Sequence, residues 1–263
     1  MKFSEKTFSG LLLLFVVTIA FSLNSTLSAR DYYQIKVYTI KDKTQEASVD
    51  KYLKDAYIPA LHKMGIKKVG VFKPIETDKT FGTKIFVLIP LKEISQIEKI
   101  EDKLLKDKQF QAAGADYINA THDAPPYERI ESILLRAFKD HPEFYAPKYT
   151  TPKSEQIFEL RSYEGATEKI WRKKVHMFNE GGEVEIFRKV GSNAIFYGEV
   201  LSGAAMPNLI YMTSYSDMES NKAHWDAFRK HPDWEVLKNK PEYANTVSHI
   251  DKWLCHPTEY SDF

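Results

Sequence analysis

One cysteine, Cys255, is all the sequence contains. A lone thiol excludes an internal disulfide and a thiolate-built metal site within one chain. An excess of charge is missing too: 37 Lys and Arg stand against 36 Asp and Glu. General nucleic-acid binders need a basic footprint, so none is expected, and local runs such as Arg172-Lys173-Lys174 read as solvated helix faces. There is no G-x-G-x-x-G and no G-x-x-x-x-G-K-[ST] loop for a nucleotide. There is no G-x-S-x-G nucleophile elbow and no paired-Cys metal motif. The fold must therefore be held by its core, and two domains of about 115 residues each bury enough apolar area to manage that.

What is present begins with a leader pattern. Lys2 and Lys6 precede an apolar run from Leu11 to Phe21, and small polar residues lead to Leu27-Ser28-Ala29. A charged start, an apolar middle and a small-residue cut site are the parts of a secretory signal peptide. The run falls well short of the ~20 residues that cross a bilayer, so residues 1–29 are expected to be removed. The mature chain is then secreted or periplasmic, with no stable membrane insertion. Cutting after Ala29 removes Lys2, Glu5 and Lys6 and leaves a balance of zero.

The remainder is organised around Gln156-Ile157-Phe158-Glu159-Leu160-Arg161-Ser162-Tyr163. It alternates with period two, as a strand with unlike faces does. Phe158 and Leu160 form one face and want helices behind them. Glu159, Arg161 and Tyr163 form the other, suited to a cavity wall. Tyr33 to Tyr38 is a fainter copy.

The order of elements recurs as well. The first half reads strand 32–40, helix 44–64, strands 68–75 and 83–91, a second helix and strand 127–138. Pro59 should kink the first helix near Tyr57-Ile58, Gly65 should close it, and Ser95-x-x-Glu98 reads as a capping box opening the second. Residues 139–154 carry Pro142, Pro147 and Pro152 without periodicity and read as a surface linker. The second half reads strand 155–163, helix 167–190 broken at Gly181-Gly182, strands 193–201 and 207–216, helix 219–246 and strand 248–255. Tyr38 aligns with Tyr163, Gly65 with Gly191, and Phe110 with Trp234. The fold expected is α+β: two tandem ferredoxin-like β-α-β-β-α-β repeats, residues 30–138 and 155–263, each with one bare sheet face. Facing each other, they make a pseudo-dimeric α/β barrel.

Three groups of residues, Phe158 to Tyr163, Phe178-Asn179-Glu180-Gly181-Gly182-Glu183 and Phe187 to Gly191, resemble the NIPSNAP domain. Trp225, Phe228, His231-Pro232 and Trp234 continue the likeness, which covers the second half and more faintly the first. The resemblance implies a tandem member of the dimeric α/β-barrel superfamily, which includes small monooxygenases, haem peroxidases and chlorite-degrading enzymes. It supplies no catalytic residues. The mitochondrial and vesicle-traffic roles of its eukaryotic members do not transfer to an exported chain.

Candidate chemistry gathers in two places. Arg161 can bind a carboxylate or phosphate, with Tyr163 beside it and Glu159 as a base if burial raises its pKa. The plainer alternative is a satisfied ion pair. On the last strand His249, Asp251 and Trp253 share a face that Cys255 continues; His249 is the second candidate base, oriented by Asp251, against the alternative of an exposed rim pair. Spacing names no third ligand for a metal, so none is expected. It also selects no haem ligand among His176, His224 and His231, and no cofactor is expected. Tyr197 with Glu199, or Tyr211 with Tyr215, would line an aromatic pocket depending on strand phase. The function expected is binding of a small organic ligand between the sheets. A cofactor-independent monooxygenase or isomerase, with Arg161 steadying an oxyanion, and an interaction scaffold are the alternatives. Homo-oligomers are left open.

Overall fold

A computed structural model describes residues 29–263. The leader expected at residues 1–29 thus lies outside the described residues, except for Ala29. In chain order the elements of the first half are β1 (Tyr32–Thr39), α1 (Lys43–Tyr52), α2 (Ile58–Lys63), β2 (Gly70–Pro74), β3 (Lys84–Leu91), α3 (Gln96–Lys106), α4 (Lys108–Ala113), α5 (Ala115–Ile118) and β4 (Arg129–Ala137). Those of the second are β5 (Ile157–Glu164), α6 (Glu168–Phe178), α7 (Glu183–Lys189), β6 (Asn193–Ser202), β7 (Asn208–Tyr215), α8 (Met218–Lys230), α9 (Pro232–Lys238) and β8 (His249–Pro257).

The eight strands form one closed antiparallel barrel in the order β1-β3-β2-β8-β5-β7-β6-β4, with β4 returning to β1. Each half contributes four neighbours, β4-β1-β3-β2 and β8-β5-β7-β6. Closure leaves no sheet edge open to pair with another chain. Two seams join the halves. β2 meets β8 over only Phe72↔Pro257, Lys73↔His256 and Pro74↔Cys255, and β4 meets β6 with a shift in register between Leu134 and Leu135.

Both faces of the sheet carry buried apolar side chains, and three apolar layers result. The barrel interior is filled from both halves by Tyr33, Ile35, Phe72, Phe86, Leu135, Phe158, Leu160, Phe196 and Met212, among others. Outside it, α1–α4 cover the first sheet around Tyr38, Leu53, Leu61, Val87 and Phe110. The later helices cover the second around Tyr163, Phe178, Phe187, Tyr211 and Phe228. No helix among the described residues is long and apolar enough to cross a membrane.

Local chemistry explains most boundaries. Asp42 caps α1 by accepting from Gln45 N–H, and Thr167 caps α6 through Ile170 N–H. The kink expected before Pro59 is a π-helical stretch, Leu53–Tyr57, ahead of α2. Proline has no N–H to offer the preceding turn and its ring crowds that turn's carbonyl, so the helix widens there instead of breaking. Gly65 then ends the run at φ 90°. The capping box does not form. Ser95 is helical and caps nothing; the Gln96 side-chain oxygen accepts from Lys92 and Glu93 N–H instead. Those two donors belong to the turn that leads into α3, so the glutamine fixes the approach to the helix and the Ser95–Glu98 pairing is not made.

The segment 139–154 carries no helix or strand but is anchored. Tyr145 N–H donates to the Ile195 carbonyl, Tyr149 Oη lies 2.9 Å from Ser214 Oγ, and Phe144 packs against the barrel interior.

Candidate functional site

The two ends of the barrel are unlike. At one end Phe144 from the 139–154 segment and Phe263 from the C-terminus enter the interior. Phe263 lies 5.4 Å from Phe72, 5.9 Å from Phe158 and 5.5 Å from Phe144 between ring centroids, and Tyr33 packs tilted against Phe196 at 4.8 Å. These rings stopper the barrel. At the other end the strands splay around a cavity of about 300 Å³. Its floor and walls are apolar, from Ile35, Val37, Phe86, Leu160, Ile210 and Trp253. Its rim is charged, with Lys79, Lys84, Glu131, Glu164 and Asp251. Ser162 and Asn208, both buried, bond each other in the wall, with Asn208 Nδ2 donating to Ser162 Oγ at 2.8 Å.

Asp251 and Trp253 share one face of β8, and that face lines the cavity. Trp253 lies 5.2 Å from the Phe86 ring. His249 is more exposed, at the rim, its Nε2 3.3 Å from Asp251 Oδ2. Cys255 continues the face into the core, where burial pushes its thiol well above the ordinary value and keeps it inert.

Glu159, Arg161 and Tyr163 are elsewhere. The phase of β5 is opposite to the one expected: Phe158, Leu160 and Ser162 point inward, and the charged face points out beneath α6–α8. The barrel's own interior is the larger apolar sink, so it takes the apolar face. The outward face is roofed by helices, and its polar groups bond among themselves. Arg161 Nη1 donates to Glu159 Oε1 at 2.7 Å, and Arg161 Nε donates to Tyr163 Oη at 3.0 Å. Asn221 and Trp225, both on α8, donate to Glu159 Oε2 at 2.8 and 2.5 Å. The guanidinium also lies over the Trp225 ring at 4.6 Å. Both carboxylate oxygens are occupied, so Glu159 has none free for a substrate proton. Burial raises the phenols of Tyr163 and Tyr211, which bond each other at 3.0 Å, above the usual range and keeps them neutral. This is the satisfied ion pair, and the ligand-binding and catalytic roles expected of Glu159, Arg161 and Tyr163 are withdrawn.

The same layer holds Tyr197 and Tyr211, while Glu199 pairs with Arg30 and Arg136. Tyr215 packs with Ile75 and Ile157. None of these four lines the open end. Among the histidines, His176 bonds Tyr243 Oη, His224 bonds the Ser220 carbonyl, and His231 caps α9 through Asp233 N–H.

Sequence reasoning missed Glu164 and the stopper. Glu164 is the last residue of β5 and stands opposite His249 in the ladder. No spacing along the chain could bring them together; only the register of β5 on β8 does.

Residues 158–262 match the NIPSNAP family model. No curated protein matches the chain. Among solved structures, a "putative monooxygenase" from Fusobacterium nucleatum superposes with a TM-score of 0.57 at 10% identity, over 88% of this chain and 93% of that one. A second protein of that name, from Lactobacillus acidophilus, gives 0.55 at 12% identity over 87% and 94%. An anthrone oxidase-like protein gives 0.51 at 7% over 89% and 93%. At these identities the likeness is one of fold: a mixed α/β chain with an antiparallel barrel.

Proposed function

We propose that the protein, whose residues 158–262 match the NIPSNAP family model, binds one small amphipathic organic molecule in the open end of its barrel. The observation that carries this is the inequality of the ends. One is stoppered by Phe144 and Phe263, while the other keeps a cavity of about 300 Å³, apolar within and charged at its lip. A volume near 300 Å³ is at the small end of ligand sites, so the molecule is compact. Its apolar, planar part lies against Trp253 and Phe86, and its polar head meets Lys79 and Lys84 at the lip. Thermal-shift screening with small aromatic acids and phenols tests this. A shift in the parent that disappears in Val37→Phe and Ile210→Phe, with circular dichroism unchanged, supports it. No shift with any compound leaves a packed scaffold.

A second reading is catalytic. Its support is the fold shared with proteins named as monooxygenases and the His249–Asp251 pair at the lip. His249 is then the base that takes a proton from the bound molecule. Turnover lost in His249→Asn, with binding retained, separates this reading from binding alone.

The halves are tandem copies, as the matching places of Tyr38 in β1 and Tyr163 in β5 suggest. The chain acts outside the cytoplasm after cleavage behind Ala29, for which an N-terminal sequence beginning at Arg30 is the check.

A further inference from the structure

We propose that Glu164, His249 and Asp251 form a binding site for one divalent transition-metal ion at the lip of the barrel. One donor atom from each lies within 4.8 Å of the others. The fold enforces the grouping. Glu164 ends β5 directly opposite His249 on β8, and Asp251 is two residues further along the same face. Two adjacent strands of one ladder present all three groups, so the site is built on rigid backbone.

Two features set the cluster apart from a patch of surface acids. One donor is an imidazole, a directional nitrogen ligand that an acidic patch lacks. The second is its position: Glu164 and Asp251 both line the cavity, so an ion held there faces the space inside the barrel. Among the described residues the Glu164 side chain makes no hydrogen bond or ion pair, leaving its oxygens available. The competing cation is Lys79, whose ammonium is 3.7 Å from Asp251 on a side chain 76% exposed, free to swing aside.

The donor set selects the ion. One nitrogen and two carboxylate oxygens suit Zn²⁺, Mn²⁺, Fe²⁺ or Co²⁺ and disfavour ions that want thiolates. Three protein ligands leave coordination positions open, as in sites that bind a small molecule beside the metal. The site does not depend on the organic ligand proposed above. It does take the His249 nitrogen, so His249 cannot serve at once as metal ligand and as free base.

Titration of the intact protein with Co²⁺ at pH 7.5, with no organic compound present, tests the site by calorimetry and by visible absorption. One ion per chain is expected, with affinity falling about tenfold or more in His249→Ala and in Glu164→Gln. Lys79→Ala is expected to bind at least as tightly as the parent, because it removes a competing charge. Absence of Co²⁺ and Zn²⁺ binding at millimolar concentration overturns the proposal. So does binding that His249→Ala leaves unchanged, which is what a diffuse acidic lip would give. All three positions lie at the lip, and circular dichroism of each variant checks that the fold is kept. A thermal shift with organic compounds persisting without metal binding would sink this site and spare the cavity.

Discussion

Glu159 is nearly sealed from solvent and accepts from Arg161, Asn221 and Trp225 at once. A carboxylate buried without such donors would be prohibitively expensive. The converse also holds: removing it strands the guanidinium of Arg161 beneath α8. Glu159→Gln is therefore expected to destabilise the protein by about 3 kcal/mol, the usual scale for breaking one side of a buried pair, read as a lower urea midpoint. Replacing both partners, as in Glu159→Leu with Arg161→Met, should recover much of that loss, because no buried charge is left unpaired. Ligand shifts at the open end should be unaffected by either variant. A catalytic Glu159 predicts the opposite.

His141 supplies the pH dependence at the same scale. Burial, helped by the nearby charge of Arg188, depresses its pKa below the ordinary 6.5. The unfolded chain then binds a proton that the folded one refuses. Stability is whole above about 6.5 and is lost as the pH falls from there toward the depressed value. Replacing His141 with Gln is expected to flatten the fall in urea midpoint between pH 7 and pH 5. An unchanged slope would remove His141 from the account.

Among the elements, β5 decides how much of the site is legible in the sequence. Its period-two pattern was plain in Phe158, Glu159, Leu160 and Arg161, and the strand is where that pattern puts it. Which face turns inward was not legible, because both are covered: one by the barrel's far wall, the other by α6–α8. Periodicity distinguishes two faces but cannot tell an interior from a helix roof. On β8 the alternation groups His249, Asp251 and Trp253 on one face without saying which way it turns; pairing opposite Glu164, Ser162 and Leu160 turns it inward, with Ile250 exposed on the other face. The helix break at Gly181-Gly182 was also legible, and its two glycines do different work. A Cβ at Gly181 would sit 2.5 Å from the Met177 carbonyl oxygen, whereas Gly182 has open space but a φ of 90°. Gly181→Ala must displace backbone at the end of α6 and is expected to cost about 2–3 kcal/mol. Gly182→Ala carries only left-handed strain, about 1 kcal/mol. Melting temperatures of the two variants give the order, and a larger loss at Gly182 would reverse this assignment.

At the scale of the molecule, the barrel is a cup whose base is made from segments far apart in the chain. The C-terminal tail crosses from β8 onto the first half: Thr258 N–H donates to the Val71 carbonyl, Asp262 N–H to that of Val69, and Val71 N–H to Ser261 Oγ. Asp262 Oδ2 accepts from Val69 N–H and meets His62 at 2.8 Å. Phe263 then seats against Phe72 of the first half and Phe158 of the second. Since the interior belongs to both sheets, neither can cover its apolar face alone. Residues 30–138 and 139–263 produced separately are expected to be insoluble or molten. Produced together, they should assemble into a complex that unfolds cooperatively. Phe263→Ala in the intact chain should cost about 3 kcal/mol, and in the split pair it should weaken assembly by a similar free energy, since the ring bridges the two pieces. A half that stays monomeric and unfolds with its own sharp transition would mean that its sheet face is covered without the partner. The shared interior would then not be what holds the barrel closed.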